Sequence, residues 1–201
     1  MSNSGQTCTA WTRLLVHQDQ YEEAVAIAAK AAAGYVPGDP TDAGTRLGPV
    51  VNAKQRARVR GYIETAVREG ARIAAGGTEA PDGLDTGYYV RPTVLADVTP
   101  QMTVAQEEIF GPVLSILAYR DEADALEIAN NTEYGLAGAV WAADNETAAA
   151  FARGMDAGQI HINGGRFNPL APFGGYKRSG VGRELGRHGL EEFLQPKALQ
   201  F

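Results

Sequence analysis

Strand signals and helix signals alternate along this chain at spacings that predict an α/β fold with a layered, mostly parallel sheet. Three observations carry that expectation. Short strand-like runs recur at 12–17, which is rich in β-branched residues and leucine, and at 113–119, 137–142 and 159–162. Between them lie stretches with apolar residues at helical spacing, as at Tyr21, Ala24, Val25, Ala28, Ala31, Ala32 and Tyr35. Strand, helix and strand in that order call for parallel pairing through right-handed crossovers.

Taken in order, Thr12 to His17 reads as a short strand, and Asp19 as the cap of a helix that Gly34 releases. The segment from Tyr35 to Val50 carries Pro37-Gly38, Asp39-Pro40 and Gly48-Pro49 and is a loop. Asn52 with Gln55 three residues on is a capping-box pattern for a second helix, packed through Val59, Ile63, Ala66 and Val67 and ended at Gly70. Ala71 to Ala75 is a strand, 76–87 a turn region, and Tyr89 to Leu95 and Val113 to Tyr119 are further strands. Asp121 caps a helix to about Asn131. Ala137 to Ala142 is a strand, Asp144 caps a helix to Met155, and Gln159 to Ile162 is the last clear strand.

Asn163 to Gly186 behaves differently, with seven glycines, two prolines and no helical or strand period. So long an irregular stretch in a compact domain usually walls a site. His188 to Leu194 reads as a short helix and Lys197 to Phe201 as an extended tail.

Composition narrows the function classes. The 201 residues suffice for a sizeable core, and 44% hydrophobic with 21% charged residues is ordinary globular usage. A net charge of −6 argues against a nucleic-acid partner. The one basic run, Arg56-Ala57-Arg58-Val59-Arg60, reads as the solvated face of a helix. No apolar run approaches the roughly 20 residues that span a bilayer, and residues 1–20 lack a signal-peptide pattern. One cysteine cannot form an internal disulfide, so the expected compartment is the cytoplasm.

That cysteine, Cys8, sits in the small polar run Ser2-Asn3-Ser4-Gly5-Gln6-Thr7-Cys8, not in an apolar segment, and this favours chemistry over packing. Asn3-x-Gly5-Gln6-x-Cys8 resembles the nucleophile motif of the aldehyde dehydrogenase superfamily. Two further blocks similar to that family follow in order. They are Glu107-Glu108-Ile109-Phe110-Gly111-Pro112 and Pro172-Phe173-Gly174-Gly175-Tyr176-Lys177-x-Ser179-Gly180-x-Gly182-Arg183-Glu184-Leu185-Gly186. The likeness runs from Met1 to Phe201 but matches only the C-terminal part of such an enzyme, somewhat under half of its usual length.

The resemblance implies a catalytic domain over 1–193, helices on both faces of its sheet, and a tail over 194–201 that is a candidate oligomerisation strand in a homo-oligomer. It implies a small-molecule aldehyde as substrate, NAD or NADP as cofactor, and no metal. Cys8 is then the nucleophile, with its own backbone N–H as an oxyanion donor. Glu108 binds the nicotinamide ribose, whose diol suits a carboxylate. Phe110 packs beside the nicotinamide, and Gln55 and Arg58 fall near the same ribose. Thr7, Thr9, Phe167 and Phe173 are candidate walls of the substrate pocket. Glu184 matches a family glutamate with a part in proton transfer, a salt bridge or a place at the start of a helix being the alternative.

The dinucleotide-binding fold, its phosphate-contacting lysine, the oxyanion asparagine and the usual general-base glutamate all lie upstream of the cysteine in that family. No Gly-rich turn of the Rossmann kind occurs here. The chain by itself is therefore expected to be inactive. Two rivals stand beside this reading. A cysteine hydrolase would pair Cys8 with His17, His161 or His188, although His17 and His161 on strands read better as satisfied structural residues. A non-enzymatic interaction module would use the tail as an added strand. Within the family, the thioester has coenzyme A as a second acceptor beside water.

Overall fold

The computed structural model describes all residues, Met1–Phe201, and divides them into two compact units, Met1–Asn131 and Thr132–Phe201. The first holds strands β1 (Arg13–His17), β2 (Arg72–Ala75), β3 (Thr93–Ala96) and β4 (Val113–Tyr119) and helices α1 (Tyr21–Ala33), α2 (Ala53–Glu69), α3 (Thr103–Gln106) and α4 (Glu122–Asn130). Its sheet has the order β1-β4-β3-β2, with β1 and β3 both parallel to β4. Helices cover both faces, as the alternation of side chains along a strand requires. Val94, Ala96 and Ile116 pack with Val25 and Ala32 of α1, while Leu95, Val113 and Leu117 pack with Val59, Ile63 and Ala66 of α2 and with Ile128 of α4.

The β2 strand departs from the expected parallel pairing and runs antiparallel to β3. The cause lies in its connection. Residues 76–92 form no helix, and without a crossover element the chain returns alongside itself. Strand β3 starts only at Thr93, because Pro92 has no N–H to contribute to a ladder.

Three helices start where expected. Asn52, Asp121 and Asp144 each accept a hydrogen bond from the backbone N–H three residues on, at 2.9, 2.9 and 2.8 Å. Asp19 does not cap α1. A short 3-10 turn over Gln18–Gln20 intervenes, and the Asp19 N–H instead donates to Nδ1 of His17. Gly70 ends α2 in the left-handed conformation at φ 109.

The second unit holds β5 (Ala137–Val140), α5 (Asn145–Ala152), β6 (Gln159–Ile162) and α6 (Gly186–Glu191). Here β5 and β6 form a separate two-stranded parallel sheet joined through α5, so the expected single sheet is two. Apart from a 3-10 turn at Lys177–Ser179 and a bridge between Phe173 and Glu184, residues 163–185 are irregular. Backbone approaches hold this unit together. The Gly135 carbonyl accepts from the N–H groups of Gly158 and Tyr176, and a Cβ on Gly158 would overlap the Gly174 carbonyl. No helix is long and apolar enough to cross a membrane.

Candidate active site

Cys8 lies exposed in a turn closed by the hydrogen bond from the Ala10 N–H to the Thr7 carbonyl. Thr7 and Thr9 flank it, both half-buried. The residues before it are in an unusual conformation. Asn3, Ser4 and Gly5 all have positive φ, at 52, 55 and 72, a region that costs non-glycine residues energy and persists only where the surroundings fix it.

Four contacts fix it. The buried Ser4 hydroxyl donates to the Gly48 carbonyl at 2.7 Å, and Gln6 Oε1 accepts from the Val51 N–H at 2.9 Å. Asn3 Nδ2 donates to the Gln6 carbonyl at 2.9 Å. Gly5 is pressed so closely on Gly111 and Pro112 that a Cβ there would overlap the Gly111 carbonyl group. Only glycine meets both that approach and φ 72. The cysteine loop is thereby wedged against the end of the Glu107–Pro112 segment.

That segment is clamped from its other side by α2. Gln55 Nε2 donates to the carbonyls of Ile109 and Phe110, at 3.2 and 2.7 Å. Arg58 Nη2 donates to the Glu108 carbonyl at 2.7 Å and to the Tyr62 hydroxyl at 2.9 Å, and that hydroxyl donates to Glu107 Oε2 at 2.7 Å. Gly111 packs on Val59, and Phe110 is held at φ 56. The two adjacent glutamates are thus unlike. Glu107 is tied to Tyr62, whereas the exposed carboxylate of Glu108 has no hydrogen bond or ion pair.

Gln55 and Arg58 accordingly spend their donors on the backbone of 108–110. The basic run around them is not simply solvated, since Val59 is fully buried and Arg56 Nη1 donates to the Gly87 carbonyl at 2.7 Å. Gln55 makes only half of a capping box, because its side chain turns to the 109–110 carbonyls instead of back to residue 52. Sequence reasoning passed over Tyr62. Its position seven after Gln55 and four after Arg58, on one helix face, was the available signal.

In the second unit, Phe167 and Phe173 meet edge to face with ring centroids 6.2 Å apart. Phe167 also lines a cavity of about 210 Å³ with Gln159, His161, Arg166, Asn168 and Pro172. Glu184 pairs its backbone N–H and carbonyl with Phe173, at 2.6 and 2.7 Å, and its side chain forms no ion pair. Two histidines are spoken for. His17 bonds the Arg120 carbonyl and the Asp19 N–H, and His161 bonds the Gly165 carbonyl and Gln159.

An exposed thiol on a loop wedged against a carboxylate-bearing segment brings together the first two of the three sequence blocks. The sequence profile of the Aldehyde dehydrogenase family fits residues 1–199. The chain belongs to the aldehyde dehydrogenase family. A Staphylococcus haemolyticus relative carrying the aldehyde dehydrogenase name is 45% identical over 199 residues, which are 99% of this chain and 42% of the relative. Two crystal structures are each 46% identical with TM-scores of 0.93, covering 96% of this chain and 40% of theirs. One is a cysteine-to-alanine mutant of aldehyde dehydrogenase C from Pseudomonas syringae with NAD+ and octanal, the other a Mycobacterium tuberculosis aldehyde dehydrogenase with NAD+. This aldehyde dehydrogenase chain thus spans about two fifths of the length of such relatives.

Proposed function

We propose that this chain supplies the nucleophile and the ribose clamp for NAD(P)-dependent oxidation of an aldehyde to a carboxylic acid. The observation that carries the proposal is the wedge of Gly5 on Gly111, which couples the exposed Cys8 turn to the segment presenting the unpartnered Glu108 carboxylate. A carboxylate with both oxygens open accepts two hydroxyls, so Glu108 fits the vicinal diol of a nicotinamide ribose. The half-buried Phe110 ring beside it offers an apolar surface to the neighbouring heterocycle.

The Cys8 thiolate adds to the aldehyde carbon, forming a C–S bond and leaving an oxyanion on the former carbonyl oxygen. The backbone N–H of Cys8, which bonds no group of the protein, is placed to donate to that oxygen. The nicotinamide cofactor, when bound, supplies the acceptor for the hydride whose loss turns the hemithioacetal into a thioester. Water then adds to the thioester, the C–S bond breaks with a proton of the water passing to the sulfur, and the carboxylic acid and the Cys8 thiol are released. Thr7 and Thr9 border the thiol. The same reading makes the exposed tail from Leu194 to Phe201 an association strand in a homo-oligomer.

The upstream three fifths of a relative, added as a separate chain, are expected to restore aldehyde-dependent NADH formation, and Cys8→Ser to abolish it. Alone, the chain is expected to show no turnover, because loss of cofactor positioning forfeits about 7–11 kcal/mol of proximity. Iodoacetamide is expected to label Cys8 in the folded protein. A thiol silent until denaturant is added, or nicotinamide-independent turnover by the chain alone, would overturn the proposal.

A further inference from the structure

We infer that Tyr62 is a positioning residue for the Glu108 carboxylate, acting through Glu107 and Arg58; the inference rests on the ribose-clamp reading of Glu108. Two neighbouring carboxylates are a hazard in a site that uses one of them. A loose second carboxylate repels the first and competes for any nearby cation. Arg58 is that cation, because Nη2 lies 2.7 Å from the Glu108 carbonyl and so within a side-chain length of its carboxylate. If Arg58 paired with Glu108, the diol acceptor would be consumed.

One hydroxyl prevents both events. Tyr62 donates to Glu107 Oε2 at 2.7 Å and accepts from Arg58 Nη2 at 2.9 Å, and the Arg58 guanidinium lies 4.9 Å from the centre of the Tyr62 ring. Glu107 is extended, at φ −109 and ψ 152, so successive side chains point to opposite sides. Glu107 turns to Tyr62 on α2, buried Ile109 follows it into the core, and Glu108 between them faces away with no partner. The extended backbone puts the two carboxylates on opposite sides, and Tyr62 holds Glu107 and Arg58 on its own side, which leaves Glu108 open.

The test combines this chain alone with the enzyme reconstituted from this chain and the upstream part of the S. haemolyticus relative. Tyr62→Phe keeps the ring and removes only the hydroxyl. In the reconstituted enzyme it is expected to raise KM for NAD about tenfold with kcat changed by less than about twofold, the pattern of lost cofactor binding. Adding Glu107→Gln to Tyr62→Phe is expected to recover most of that loss, because the loose charge is gone. In the chain alone, Tyr62→Phe is expected to speed amide hydrogen exchange at Glu108 and Phe110 about tenfold while leaving α2 unchanged.

A Tyr62 that matters only to stability would lower the melting temperature with KM unaltered, which overturns the inference. Unchanged exchange at 108–110 overturns it as well, whether or not reconstitution gives turnover. Glu108→Gln separates the two levels. If it raises KM for NAD and Tyr62→Phe does not, the positioning role fails and the clamp stands; if Glu108→Gln has no effect, the clamp itself fails.

Discussion

The two units of this chain are built on different principles. Residues 1–131 bury nearly all of the apolar core, including Ile63, Leu95, Ile116 and Leu117 at 0% exposure. In residues 132–201 the only buried apolar side chain is the methyl of Ala148, and close backbone approaches at glycine take the place of a core. Large apolar side chains there face outward, with Val181 at 106% and Phe193 at 88%. A buried core is not what left-handed backbone requires: non-glycine residues have positive φ at Asn3, Ser4, Asp97 and Phe110 in the first unit and at Asn163, Lys177 and Leu185 in the second. The second unit offers a surface that its own residues do not cover.

Separating the units is expected to have the largest effect. Residues 1–131 alone are expected to unfold cooperatively on heating, and residues 132–201 alone to show no cooperative transition by circular dichroism. A sharp transition from 132–201 would show that a core is not what it lacks. Core substitutions come next. Leu117→Ala, at a fully buried site, is expected to cost about 2–5 kcal/mol in denaturant titrations, whereas Phe193→Ala, at an exposed one, is expected to stay within about 0.5 kcal/mol.

Glycine substitutions sharpen the contrast further. Gly5→Ala and Gly158→Ala each drive a Cβ into a carbonyl group and are expected to cost more than about 1 kcal/mol. Only Gly5→Ala is expected to alter the alkylation rate of Cys8, since it displaces the wedge on which the cysteine loop rests.

The smallest effect is a pH dependence. Hydrogen bonds from the side chain and backbone of Arg120 lower Asp124 to about 2 from an ordinary 3.8. A carboxylate depressed in the folded state contributes stability above its unfolded value and loses it as pH falls from about 4 toward 2. Asp144, which caps α5, is lowered in the same direction by bonds from Thr147. Asp144 is exposed and Asp124 pairs with the exposed Arg120 at the surface, so the acid loss is expected to be slight in unfolding curves and reduced further by salt. Arg120→Ala is expected to remove the side-chain part of the first contribution, keep the part from the backbone N–H of residue 120, and leave the second unchanged.

What the sequence determined by itself is what a few neighbouring residues decide. Asn52, Asp121 and Asp144 cap their helices because donor and acceptor are three residues apart, and Gly70 stops α2 because a left-handed residue ends the ladder locally. The α/β class and the three motif blocks were legible for the same reason. Tertiary structure alone decided the antiparallel turn of β2, the division into two units, and the loss of the Asp19 cap to the His17 ring. It also decided the use of Gln55, Arg58 and Tyr62, whose partners lie 45 to 55 residues away. Such bonds leave no local pattern, because a helix residue that will clamp a distant backbone is the same polar residue as one that will face water. Only the folding of α2 onto the 107–112 segment distinguishes Glu107, which is tied, from Glu108, which is presented.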